Sequence, residues 1–250
     1  RMATIHIDVD PAEIGKNMQA AIPLVGDVKV ILRQILDREP AETDSAAWRE
    51  SLKDYRRAEL NRVFPRREGS VFPGTALRRL GAMLDDDAVI SADVGQNQIF
   101  TCKYLPQKNG RLLTSGGLGT MGYALPAGIG AKIAAPERQN IVICGDGSFQ
   151  MSMNELAAIR AADLDIKIVL FQNNTLGLVY QIQKTAPYHG PFGVALDGSP
   201  DFQAIAAAYQ IPTLAVDDED KLDQTLRQFL DTKGCCLLIV RVHPDVGTND

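Results

Sequence analysis

Two short stretches carry residue types that do chemistry together, Gly145-Asp146-Gly147 and the paired amides Asn173-Asn174. Residues 141–144 (IVIC) read as a buried parallel strand, after which the chain turns at two glycines around one carboxylate. Residues 151–162 hold good helix formers with apolar Met153, Leu156, Ala157 and Ile159, and residues 166–171 (IKIVLF) return as a second buried strand. The pattern predicts a βαβ unit with oxygen-bearing side chains at the carboxyl ends of both strands. Ligands of open α/β sheets bind at those ends, where a helix start offers free N–H groups to an anion. An Asp carboxylate and an Asn amide oxygen aimed at one point suit Mg²⁺, which wants near-octahedral oxygen ligands and commonly shares them with phosphates. The expected guest is a diphosphate. The chain has no G-x-x-x-x-G-K-[ST], and the turn after this strand is not G-x-G-x-x-G, so the two commoner phosphate fingerprints are ruled out.

The elements that must position this unit alternate along the chain. A helix over 75–84 precedes a strand over 88–93, with Gly95-Gln96-Asn97-Gln98 at its carboxyl end. A short strand over 111–114 runs into a glycine-rich loop and an apolar helix over 123–134. Beyond the central unit come a helix (201–209), a strand (213–216), an amphipathic helix (218–230) and a hydrophobic strand (235–242). This order predicts the α/β class: a doubly wound, largely parallel sheet with helices on both faces. Upstream, residues 4–10 read as a strand that must pair with something, either an edge of the main sheet or a separate domain. Residues 39–70 are polar, with one helix-like run over 45–56. Its Trp48, Leu52 and Tyr55 share a face and Ser45 stands at the N-cap, so a connector helix docked by its aromatic face is expected. The basic cluster over 62–67, flanked by Glu59 and Glu68, reads as a solvated linker.

Composition bounds the function. With 250 residues, 45% hydrophobic and 23% charged, and a net charge of -5, the chain gives no sign of binding nucleic acid or a membrane. Residues 112–131 form an uncharged run, but six glycines and Pro126 make a lipid-spanning helix a poor reading. Cys102, Cys144, Cys235 and Cys236 show no C-x-x-C and no ligand-like spacing to His6, His189 or His243, which argues for a reducing, cytoplasmic setting and against structural zinc. The first residues lead straight into a strand, without the pattern of a signal peptide.

Three motifs then fall in a recognisable order: residues 115–126 (SGGLGTMGYALP), 145–156 (GDGSFQMSMNEL) and 176–179 (LGLV). Together they resemble the thiamine-diphosphate (ThDP) enzymes, and among these the catalytic large subunits of acetolactate synthases, over nearly the whole chain. The resemblance implies ThDP and Mg²⁺ as cofactors. Asp146 is the implied first metal ligand, beside Gly145, Gly147 and Ser148. Anchoring on Leu176-Gly177 makes Asn173 the second ligand and Thr175 a carbonyl ligand, with Asn174 the alternative, since one residue of slip turns an amide away. Gly95, Gln96 and Asn97 resemble a second diphosphate clamp, although the family commonly has His at the position of Asn97. By resemblance the Gly119 carbonyl accepts from the aminopyrimidine, and Met121, unbranched and polarizable, props the cofactor in its bent form.

The same resemblance implies condensation of pyruvate with a second 2-keto acid with loss of CO₂, as in branched-chain amino acid biosynthesis. It makes residues 1–36 a remnant of a middle domain, 37–72 a linker with one helix, and 73–250 the ThDP diphosphate-binding domain of a longer polypeptide. The activating Glu of such enzymes belongs to an N-terminal pyrimidine-binding domain of a neighbouring subunit, so no catalytic side chain is expected here, and the chain alone should be inactive. A homo-oligomer is implied, with room for a regulatory subunit and for FAD in the full-length protein. Val179 and Ile182 would line the substrate pocket. Ile182 stands where members preferring 2-ketobutyrate carry Trp, which widens the pocket and puts the isoleucine branch in doubt. Residues 184–198, rich in Gly and Pro, are expected to form a mobile lid. Competing readings keep ThDP with oxalyl-CoA, glyoxylate or an oxidase reaction, or keep only the fold, as a non-catalytic assembly domain.

Overall fold

The computed structural model describes residues 3–38, 44–64, 66–106, 108–185 and 190–249. They form two compact units, Arg1–Asn61 and Arg62–Asp250. In the first, β1 (Ile5–Asp8) pairs in parallel with β2 (Ile22–Val25), so the opening strand does not edge the main sheet. Helix α1 (Val28–Leu36) follows, capped by the Asp27 carboxylate, which accepts from the Val30 N–H at 3.1 Å. Its Val28, Val30, Leu32, Ile35 and Leu36 stay exposed. Helix α2 (Ala46–Leu60) places Trp48, Leu52 and Tyr55 on one face, and no described residue of its own unit covers that face, Trp48 being 64% and Tyr55 74% exposed. Periodicity shows where a helix is apolar; it does not supply the surface that covers it.

The second unit is built on a six-stranded sheet. Its strands are β3 (Val89–Ala92), β4 (Arg111–Leu113), β5 (Asn140–Gly145), β6 (Lys167–Gln172), β7 (Thr213–Val216) and β8 (Cys236–Arg241), ordered β4-β3-β5-β6-β8-β7. Every pairing in it is parallel. Because successive side chains of a strand point to opposite faces, Ile141, Ile143, Val169 and Leu238 enter one core and Val142, Cys144, Ile168 and Ile239 the other. The first face is covered by α3 (Pro73–Met83), α4 (Gln96–Tyr104) and α10 (Leu222–Asp231). The second is covered by α5 (Ala124–Ala134), α6 (Asp146–Gln150), α7 (Leu156–Ala161) and α9 (Phe202–Ala208). The doubly wound class is thus as expected, and fully parallel.

Phe64, Val71 and Phe72 pack in the first core, with Phe64 and Phe72 stacked at 4.0 Å, so part of the segment expected as linker is core. No helix of the described residues is long and apolar enough to cross a membrane. The chain winds outward in both directions from β3 and β5, whose neighbouring carboxyl ends therefore open a crevice at the switch of strand order. The glycine–carboxylate turn lies at that crevice.

Candidate cofactor site

β5 ends at Gly145 and α6 begins at once on Asp146, five residues before the expected helix start. The expected single helix over 151–162 is instead a 3-10 turn (Met153–Glu155) followed by the short α7, with α6 ahead of them. The early start of α6 follows from the bonds at its first turn. Asp146 Oδ1 accepts from the Gly147 N–H at 2.8 Å, and the Ser148 hydroxyl both accepts from the Gly145 N–H and donates to the Gly145 carbonyl, each at 3.1 Å. These bonds tie a tight turn to the strand end.

Asp146 is 1% exposed. Its second oxygen accepts from two successive backbone N–H groups at the end of β6, Asn173 at 3.0 Å and Asn174 at 2.6 Å. The carboxylate therefore locks the two strand ends together, while the two amide side chains take different directions. Asn174 has φ 57, a left-handed conformation that Asn tolerates, and its exposed side chain accepts from Gln172 Nε2 at 3.0 Å. Asn173 instead lines the cavity beside Asp146; its Oδ1 accepts from the Thr175 N–H at 3.0 Å, and its Nδ2 donates to Gln96 Oε1 at 3.4 Å.

That cavity, of about 280 Å³, gathers Gly95, Gln96, Asn97, Gly119, Met121, Gly145, Asp146, Gly147, Ser148, Asn173, Thr175, Leu176, Gly177 and Val179. Ile182, one turn beyond Val179 on α8 (Gly177–Thr185), is 54% exposed and is not among the residues lining this cavity. Glycine is required where walls approach closely. A Cβ on Gly177 would lie 2.1 Å from Gln96 Oε1, and one on Gly147 2.6 Å from Leu176 Cδ2 and 3.5 Å from Met121 Cε. Met121 thus reaches across to the Gly147 turn.

The clamp residues sit differently from expectation. Gln96 and Asn97 form the first turn of α4, whose N-cap Gly95 has φ 132, so their backbone N–H groups point into the crevice as helix starts do. The Gln96 side chain is occupied elsewhere, its Nε2 donating to the Val246 carbonyl at 2.9 Å and Gln181 Oε1 at 3.1 Å. Asn97 Nδ2 donates to the Asp93 carbonyl at 2.6 Å. Of the expected lid, residues 186–189 lie outside the described residues. The rest is held down: Leu176 N–H donates to the Val194 carbonyl at 2.8 Å and Leu196 N–H to the Asn174 carbonyl at 2.9 Å, with Val194 buried. Packing of this kind runs against a free lid there.

One residue went unread in the sequence. Asp93, 1% exposed at the end of β3, accepts from Val94, Gly122 and Ala124 N–H groups at 2.8 to 2.9 Å. Its signal is a carboxylate directly after the buried run VISA, the same strand–acid pattern as ICGD before the Gly147 turn. Burial raises its pKa above the ordinary carboxylate range, while N–H donors from Ala124, Val94 and Gly122 oppose the shift. Burial likewise pushes the Cys144 thiol up, with help from the Asp93 and Asp146 charges.

Burial pushes the Asp146 carboxyl up to about 6, against N–H donors from Asn174, Gly147 and Asn173 that favour its charged form. The folded chain holds this proton over a range where the unfolded chain, with a carboxyl near about 3.9, has lost it. The group's contribution to stability therefore falls as pH rises from about 4 through about 6, by up to about 3 kcal/mol, and is level above. Thermal midpoints without divalent ions should fall over that window in the wild type and fall less in Asp146→Asn. Parallel profiles would contradict the buried-charge account.

The residues present fit a cation-bridged diphosphate. Asp146 is a buried carboxylate whose charge has no cationic neighbour in the cavity wall, Asn173 and Thr175 add neutral oxygens, and the buried Thr175 hydroxyl has no hydrogen-bond partner.

A family model described as thiamine pyrophosphate enzyme, C-terminal TPP binding domain, matches residues 93–240. The chain is also similar to curated proteins. It is 37% identical over 224 residues to the acetolactate synthase large subunit of Lactococcus lactis, covering 89% of this chain and 39% of that one. It is 34% identical over 257 residues to a probable acetolactate synthase large subunit of Methanococcus aeolicus (96% and 43%), and 36% identical over 239 residues to acetolactate synthase isozyme 1 large subunit of Escherichia coli (95% and 42%). The chain spans about two fifths of the length of these relatives.

Proposed function

The chain belongs to the thiamine pyrophosphate enzymes and carries their C-terminal TPP-binding domain, and from this we propose that it holds the Mg²⁺-diphosphate end of ThDP in a carboligase. That enzyme condenses pyruvate with a second 2-keto acid and releases CO₂. One observation carries the proposal: Asp146 and Asn173, from adjacent strand ends, face one cavity that also receives the start of α4.

In this reading the Asp146 carboxylate, the Asn173 amide oxygen and the Thr175 carbonyl would hold Mg²⁺. Mg²⁺ commonly shares its oxygen ligands with phosphates, which suits a site that would offer it a single carboxylate. The Gly95–Asn97 and Gly147–Ser148 backbone takes the diphosphate, and Gly119 and Met121 meet the thiamine end. When bound, ThDP supplies the electron sink that lets a 2-keto acid lose CO₂ and join a second one. The protein's part is to fix that cofactor's orientation and to keep the cation's ligands charged and dry.

The other half of the pocket comes, we propose, from a pyrimidine-binding domain of a neighbouring subunit in a homo-oligomer. The exposed Leu118 (93%) on the Gly119 loop and the exposed Val179 on the cavity wall support it, as apolar side chains waiting for cover. The open apolar face of α1 supports residues 1–36 as part of a larger middle domain. Free Cys102, Cys144, Cys235 and Cys236 support a reducing, cytoplasmic setting.

Thermal melting tests the reading. ThDP and Mg²⁺ together should raise the midpoint of the full-length protein, with a stabilisation of about 2.7 kcal/mol at about a hundred times Kd. No rise with both present would refute it. The 250-residue chain alone should consume no pyruvate, and measurable consumption would refute the half-pocket arrangement.

A further inference from the structure

Asp93 has no part in the roles above, yet it is among the most enclosed charges in the molecule. A carboxylate that far from water persists only when its oxygens are hydrogen-bonded. Here three backbone donors meet it: Oδ1 accepts from Val94 at 2.8 Å and from Gly122 at 2.9 Å, and Oδ2 accepts from Ala124 at 2.8 Å, with the Ser148 hydroxyl of the Asp146 turn as a side-chain partner. Two of those donors belong to the glycine-rich loop and the first residue of α5. The Asp93 carbonyl meanwhile accepts from Asn97 in the first turn of α4. One residue therefore joins three pieces of the cavity: the end of β3, the helix start that faces the diphosphate, and the segment that carries Gly119 and Met121.

The loop has little else to fix it. Gly119 (φ 64) and Gly122 (φ 85) leave its backbone permissive, and its remaining bonds near the tip are local, from the Gly119 N–H to the Ser115 carbonyl at 3.1 Å and from the Thr120 N–H to Ser115 Oγ at 3.0 Å. Without the Asp93 splint, Met121 would keep its tether to the loop but lose its register against the Gly147 turn.

We propose that Asp93 is a positioning residue: by pinning Gly122 and Ala124 to the end of β3, it sets the spacing between the Met121 end and the Asp146 end of the cavity. The inference rests on the ThDP reading. A ligand spanning both ends depends on that spacing, whereas one confined to the Asp146 end does not.

The test compares ThDP with inorganic pyrophosphate, each with Mg²⁺, by calorimetric titration of the full-length protein and its Asp93→Asn variant. Asn keeps the shape and one acceptor oxygen but turns an NH₂ group toward one of the backbone N–H donors. The ThDP Kd should rise about tenfold while the pyrophosphate Kd stays within about twofold. Equal weakening of both ligands, or of neither, overturns the proposal. A wild type that binds neither ligand overturns the ThDP reading and this inference with it, an outcome distinct from the other two. Should Asp93→Asn not fold, amide exchange in the unliganded wild type decides. The Gly122 N–H should be protected like those of β3, and exchange as fast as at Leu118 overturns the splint.

Discussion

Replacing Asp146 with alanine is expected to abolish cation-dependent cofactor binding, raising the ThDP Kd by at least about a hundredfold. Asp146 is the one carboxylate among the residues lining the cavity, so no other side chain there can neutralise Mg²⁺. The same oxygens accept from Gly147, Asn173 and Asn174, and each buried donor left unpaired costs about 1–3 kcal/mol. Alanine should therefore weaken both the fold and the site. Asp146→Asn separates the two effects, because it retains an acceptor for the backbone donors and removes only the charge. Titration of both variants with ThDP and Mg²⁺ should show loss of binding in each, with the smaller loss of thermal stability in the Asn variant. Retention of wild-type affinity by either would remove Asp146 from the site.

Gly177→Ala should have the second largest effect, at least about a tenfold loss of ThDP affinity. A Cβ there would meet Gln96 Oε1 at 2.1 Å and Asn173 Nδ2 at 2.7 Å, so both side chains must move. Moving Asn173 shifts a cation ligand, and moving Gln96 breaks its bonds to Val246 and Gln181. Alanine is the better helix former by about 1 kcal/mol, which offsets part of the cost at the first residue of α8. The expected signature is thus a binding defect larger than the accompanying stability change. A folded variant that binds ThDP as the wild type does would show that the wall between Gln96 and Asn173 is not part of the site.

Much of this arrangement was legible in the sequence. Continuous apolar runs such as IVIC and KIVLF announce strands buried on both faces, and their spacing with a helix between them fixes a parallel pair. From there, an acid and an amide directly after the two runs must stand side by side. What escaped reading follows a physical pattern too. Helix α4 (QNQIFTCKY) has no apolar stripe. Gln96, Asn97 and Thr101 are buried in it because each finds a partner: Val246, Asp93 and the Asn97 carbonyl respectively. Such bonds depend on residues distant in the chain, and no local pattern reports them. Helix α8 was missed because it opens on a glycine, which reads as a turn.

The register at Asn173 and Asn174 shows how far sequence spacing carries. Strand alternation alone allowed either amide, and only the motif at Leu176 and Gly177 favoured Asn173. In the structure the two side chains diverge, since the left-handed turn at Asn174 sends its side chain out to Gln172 while Asn173 lines the cavity. Ile182 illustrates the opposite case. A count along the chain does not say which side of α8 faces the Asp146 cavity, whose wall includes Val179 and not Ile182. For the same reason periodicity puts Trp48, Leu52 and Tyr55 on one face without supplying the surface that covers it.

The most direct measurement is a crystal structure of the protein grown with ThDP and Mg²⁺. The account predicts an octahedral cation about 2.0–2.1 Å from an Asp146 carboxylate oxygen and from Asn173 Oδ1, sharing oxygens with the diphosphate. A cation bound through Asn174, or a diphosphate seated away from the Asp146 turn, would contradict it.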